Sequence, residues 1–143
     1  MINVLTGINT TASALEAERI RMEVISQNIA NADVARAPGS KPYQRQQVVF
    51  ETLLNQQTGQ AGITGGDGSS IAARIETDNR APRMAYQPGN QFADSKGMVA
   101  LPDINVHEEM ADLVTASRAF EANLAVVRNA RSMALQTLSI GKR

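Results

Sequence analysis

Apolar or small residues recur at every seventh position near both ends of the chain, at Met1, Ile8, Leu15, Met22 and Ile29 and again at Val106, Leu113, Phe120, Val127 and Ala134. This is the spacing with which an α-helix offers a narrow stripe to another helix, so both ends are read as long helices that need a common partner surface. In the first, Val4, Ile25 and Ala32 stand three residues beyond members of the repeat and Ala12 four beyond, which completes a stripe of the coiled-coil kind. Glu16, Glu18, Arg19, Arg21 and Glu23 crowd the other side, with Glu18 and Arg21 spaced to pair.

The second helix starts after Pro102, where Asn105 can cap it and Glu108, three residues on, can complete a capping box. Glu108, Glu109 and Asp112 at its start, with Arg128, Arg131, Lys142 and Arg143 toward its end, complement the helix dipole. Continuous from Asn105 to Ser139, it would be about 50 Å long, more than a compact domain of this size accommodates. Met110 and Leu124 take the complementary positions of its main stripe. A second line runs through Ala119, Val126, Met133 and Ile140. Two stripes at different angles cannot be covered by one partner helix, so Val126, Met133 and Ile140 are assigned to contacts between subunits.

Between the helices, Asp33 to Asp103 holds all five prolines and eight of the ten glycines, which argues against helix. Tyr43 to Glu51 and Ile71 to Thr77 have strand character, and Arg83 to Gln87 is a shorter candidate closed by Pro88 and Gly89. Thr58 to Ser70, rich in glycine and small polar residues, is read as a mobile loop at the tip of a small β element.

Aromatic residues are only 3% of the chain, with no Trp, so the interior is modest and part of the stability is expected from neighbouring molecules. Fourteen Lys plus Arg balance fourteen Asp plus Glu, and a chain of zero formal charge has no strong field to draw nucleic acid. Cysteine is absent, which removes disulfides and thiolate chemistry. No apolar run is long enough to span a bilayer, and Met1 to Thr11 lacks the basic and apolar regions of a cleaved secretory signal. His107 is the single histidine, with no second histidine or cysteine to complete a common metal set. Ser13, Ser26 and Ser117 have no plausible histidine partner nearby in sequence, and Gly65-Gly66-Asp67-Gly68 lacks the Lys-Ser/Thr of a phosphate loop. The scattered aspartates Asp33, Asp67, Asp78, Asp94 and Asp103 fit turn-capping roles. No catalytic residue, metal, cofactor or small-molecule substrate is assigned.

Asn28 and Asn31 stand out, because Asn is unfavourable inside a helix. Asn31 can cap the helix end. The alternative is that both amides, with Ala30 and Ala32 allowing close approach, hydrogen-bond the helix to the chain leaving it and fix register.

Ser26-Gln27-Asn28-Ile29-Ala30-Asn31-Ala32 followed by Pro42-Tyr43-Gln44-Arg45, and Phe120-Glu121-Ala122-Asn123-Leu124 with Ser132-Met133, resemble the two terminal signatures of bacterial flagellar rod and hook proteins. Tyr86-Gln87-Pro88-Gly89, Ala93 to Gly97 and Leu101 to Val106 fit the same family, and the insertion through Arg36, Pro38, Gly39 and Lys41 resembles its proximal rod branch. The motif positions carried over are Ser26, Asn28, Ala30, Asn31, Tyr43, Arg45, Glu121, Ala122, Asn123 and Leu124.

The resemblance implies a non-enzymatic subunit of the basal-body rod, crossing the periplasm and exported by the flagellar type III apparatus without a cleaved signal. Its partners would be copies of itself and other rod proteins, with no nucleic acid. The expected fold is mainly α with a small β element: residues 1–33 and 104–143 as terminal helices paired in an antiparallel coiled coil, and 34–103 as a Gly/Pro-rich β/loop middle. Ile8, Leu15, Met22, Ile29, Val106, Leu113, Phe120, Leu124 and Val127 are the expected helix-pairing positions, with ends that order fully only once partners cover them. The competing expectation is a membrane-surface module with interfacial terminal helices, against which Glu16, Glu18 and Glu23 on the polar face argue.

Overall fold

The computed structural model describes residues 4–37, 39–53 and 70–141. Met1, Lys142, Arg143 and the expected loop from Thr58, with the Gly65–Gly68 run inside it, lie outside the described residues, except that Ser70 opens a strand. The chain is mainly helical: α1 spans Val4–Asn31 and α2 Val106–Ile140, with β1 (Gln46–Leu53), β2 (Ser70–Thr77), β3 (Arg83–Tyr86) and β4 (Met98–Leu101) between them. At 1.5 Å per residue the helices are about 42 and 52 Å long.

The two helices pack antiparallel. Asn28 meets Glu109 and, one to two turns earlier on α1, Arg21 comes within 4.0 Å of Asp112, further along α2. Their seam is lined by small and β-branched side chains, with Ala17, Val24, Ile25 and Ala32 buried on α1 and Ala116 on α2. Small side chains let the backbones approach, which is how a chain so poor in aromatics still closes its interior. Val99 and Leu101 of β4, with Pro102 and Ile104 in the segment leading into α2, are buried as well.

Asn105 caps α2 as its sequence implies, its side-chain oxygen accepting from the His107 amide at 3.1 Å. Glu108 does reach back, but to the Asn105 side-chain amide, at 3.0 Å. At the other end no basic residue falls in the last turn of α2, which closes at Ile140 with Arg131 more than two turns earlier, while Lys142 and Arg143 lie outside the described residues.

β1 and β2 form an antiparallel hairpin in register from Gln46↔Thr77 to Leu53↔Ser70. Val48, Val49 and Phe50 on one strand and the alternation of Ile71, Ala73 and Ile75 on the other suit a half-covered pleated surface. The hairpin lies along α1 and is tied to it at three heights. Gln46 bonds Asn28, the Phe50 ring lies 5.9 Å from the Arg21 guanidinium, and the Ile71 amide donates to the Ser13 hydroxyl at 3.2 Å.

A second antiparallel pair, β3 with β4, runs from Arg83↔Leu101 to Tyr86↔Met98. β4 is the strand that periodicity misses. Four residues ending against Pro102 are too short to show alternation, and the signal lies instead in the turn before them. Asp94 Oδ1 accepts from the amides of Lys96 and Met98 at 2.8 and 2.9 Å. Gly97 takes φ +74°, and a Cβ there would lie 3.0 Å from the Tyr86 ring and 3.2 Å from Pro88. A side chain would therefore be both strained and crowded.

The backbone amides of Met98 and Lys96 hold the Asp94 carboxyl below its ordinary value of 3.8. A group depressed in the folded state stabilises it above the unfolded pKa and loses that effect as pH falls through the folded one. Hydrogen-exchange protection at Lys96 and Met98 should hold at neutral pH and fall in acid below the ordinary carboxylate range. Asp94→Asn, which keeps the acceptor and discards the charge, should flatten that dependence. Equal acid sensitivity in both proteins would show that Asp94 does not control the turn.

Candidate functional site

Pro42 favours an extended conformation in the residue before it, so the chain runs toward β1 already straightened. Along extended chain alternate residues share a face, which turns Tyr43 and Arg45 inward and leaves Gln44 exposed. They converge with Asn28 of α1 and Glu109 in the first turn of α2.

Asn28 and Glu109 are each only 1% exposed, so water cannot satisfy their polar atoms. The Asn28 amide nitrogen donates to the Gln46 carbonyl at 2.8 Å and to Glu109 Oε2 at 2.9 Å. Its oxygen accepts from the Gln46 amide and the Tyr43 hydroxyl, both at 3.0 Å. An Asn amide has two N–H groups and two acceptor sites, and all four are used. Glu109 Oε1 accepts from Arg45 Nε at 2.7 Å, so both carboxylate oxygens are also met.

Burial, reinforced by the neighbouring Glu109 carboxylate, pushes the Tyr43 hydroxyl above the ordinary phenol value and keeps it a donor at neutral pH. Nearby, Arg21 gathers the same three elements more loosely. It touches the Phe50 ring and lies 3.9 Å from Glu18 and 4.0 Å from Asp112.

This set of groups joins three segments of the chain. Every described polar atom of Asn28 and Glu109 is already paired within the molecule. A cleft of about 250 Å³ beside it is lined by Lys41, Tyr43, Arg45, Asp78, Arg80 and Asp103 among others, but Arg80 is itself bonded to Asp78 at 2.8 Å. Among the described residues no group of three or more His, Cys, Asp or Glu could hold a metal ion.

Asn28 does what its sequence position implies, bonding the helix to the chain that leaves it. Asn31 does not: its amide donates to the Gln27 carbonyl of its own helix at 2.7 Å. Ser26, Ala30, Glu121 and Ala122 of the motif set are exposed, and Asn123 and Leu124 half-buried. Glu109 is the member that sequence reading misses, because its place in the first turn already explains an acid. The signal was available, since Glu109 lies three residues after Val106 and four before Leu113, on the stripe itself. Met110, assigned to that stripe, is 54% exposed.

Ile8, Leu15, Met22, Ile29, Val106, Leu113, Phe120, Leu124 and Val127 are all half-buried and flank the fully buried seam. Val126, Met133 and Ile140 stand 54, 62 and 76% exposed, in company with Leu135 and Leu138. From residue 131 to residue 141 every described residue of the chain is exposed. The far end of α2 is thus a helical stretch with exposed apolar side chains that no described residue covers.

Arg45→Met would leave Glu109 charged and buried with only Asn28 for support, a change that costs roughly 3 kcal/mol or more in comparable buried pairs. Arg19→Met removes a pair on the open face of α1, where Arg19 bonds Glu16 at 3.0 Å, and should be near neutral. Urea unfolding of the two variants measures the contrast; equal midpoints would remove the energetic distinction between them.

Residues 8–37 match the family described as flagella basal body rod protein, and residues 95–140 the family described as flagellar basal body rod FlgEFG protein C-terminal. The flagellar basal-body rod protein FlgC of Salmonella typhimurium is 39% identical over 97% of this chain and 98% of its own length. That of Borreliella burgdorferi is 35% identical over 97% and 98%, and that of Bacillus subtilis 34% identical over 95% and 97%. The two family matches fall on the two helical ends, and the one nearer the start takes in Asn28 while the other takes in Glu109. With whole-length identity at this level, the chain belongs to the flagellar basal-body rod proteins, as a FlgC-like member.

Proposed function

We propose that this chain is a structural, non-catalytic subunit of the proximal part of the flagellar rod, assembling with copies of itself and with other rod proteins into a hollow shaft that carries torque. The observation that carries the reading is the bare apolar end of α2, where Val126, Met133, Leu135, Leu138 and Ile140 face solvent. Apolar surface of this extent on an isolated chain marks a place where another molecule packs. In this reading residues 1–33 and 104–143 form the helical wall, and 34–103 face outward or bridge neighbours. Helix pairing through Ile8, Leu15, Met22 and Ile29 against Val106, Leu113, Phe120, Leu124 and Val127 is completed by adjacent subunits that cover the half-buried flanks.

The rod reading places the chain in the flagellar basal body, reached through the flagellum's own export apparatus. No described helix is long and apolar enough to cross a membrane. A lipid-surface role gains nothing from α1, whose outer face pairs Arg19 with Glu16 and Glu23 and so presents no basic surplus.

Val126→Asp places a charge on the uncovered stripe without touching the buried seam. It should abolish incorporation into basal bodies while leaving the amount of exported protein unchanged, measured by comparing purified basal bodies with culture supernatant. Motile cells whose intact rods contain the variant would overturn the assignment.

A further inference from the structure

We infer that the Asn28–Glu109–Arg45 group selects which of several heptad registers the two helices adopt, and thereby sets how far α2 projects beyond α1. The apolar seam discriminates only in part. Its buried members on α1, Ala17 and Val24, and likewise Ile25 and Ala32, are seven residues apart, so a slip of one heptad toward Arg21 again sets Ala17 and Ile25 into the seam, with Thr10 and Glu18 beside them. The alternative register even has a partner for the buried acid. One heptad before Asn28 stands Arg21, and displacing α2 by about 10 Å would bring Glu109 opposite it. A slip in the other sense sets Asn28 opposite Ala116, which has no side-chain acceptor.

The polar atoms are what tell these states apart. Only in the observed register does Glu109 receive both Arg45 and Asn28, at 2.7 and 2.9 Å. Buried ion pairs contribute little net stability compared with apolar replacements, and their best-attested use is to fix register. α2 has 35 residues and α1 28, so the observed register leaves the end of α2 bare, and the slip toward Arg21 would uncover seven residues more. That the length of the projection matters to neighbours rests on the rod function proposed above. The choice of register does not, and is measurable on the purified chain.

The chain has no cysteine, so Glu23→Cys and Arg131→Cys, at exposed positions, would carry spin labels at two sites alone. Double electron–electron resonance on this full-length background should give one dominant distance. Adding Asn28→Leu with Arg45→Met strips Glu109 of both partners and should lengthen that distance by about 10 Å, the rise of one heptad. Adding Glu109→Leu as well should leave helicity and melting temperature undiminished yet give more than one distance. A single unshifted distance in either variant that keeps its helices would overturn the inference. So would loss of helix in both variants, or the lack of a dominant distance in the parent, since the group would then select nothing.

Discussion

A carboxylate almost out of reach of water must be met on both oxygens, and the way Glu109 is met decides how the rest of this chain is arranged. One oxygen takes Arg45 from the segment leading into β1, the other takes Asn28 from α1, and Glu109 itself belongs to the first turn of α2. Three segments far apart in sequence are thereby held at one point. Asn28 extends the constraint to the backbone, since it both donates to and accepts from Gln46 at the start of β1. The helix pair and the hairpin therefore share an origin, and moving one without the other breaks a bond that water cannot replace.

The helices were legible because a seven-residue repeat is a long-range signal that survives individual exceptions. The strands β1 and β2 were legible for a related reason, their β-branched and aromatic residues being grouped between clear breakers. β4 was not, because four residues carry too little pattern, and its placement depends on Asp94 and Gly97 shaping the turn ahead of it. Asn28 could be singled out as an amide where a helix prefers none. Glu109 could not be separated from Glu108 by the dipole argument, which accounts for both equally.

The seam illustrates how small an error in angle matters. Neighbouring helix positions differ by about 100° around the axis, so assigning the stripe to Met110 rather than Glu109 turns a buried anchor into an exposed side chain. Likewise, Ile25 and Ala32 of the predicted stripe lie on the fully buried line, whereas that line's other members, Ala17 and Val24, stand outside the stripe, and the seven-residue repeat Ile8, Leu15, Met22 and Ile29 is half-buried beside it. Sequence periodicity gives the side of a helix that is apolar. Which line within that side is deepest depends on the third element, here the hairpin lying along α1.

The three ties between that hairpin and α1, at Gln46, Phe50 and Ile71, are spread along the helix instead of gathered at one end. A pull on the hairpin parallel to the helix axis therefore loads them side by side, in shear, and none yields before the others share the strain. A pull that lifts the hairpin away would meet them one after another, as in peeling. The same contacts are thus stiff along the helix and compliant across it.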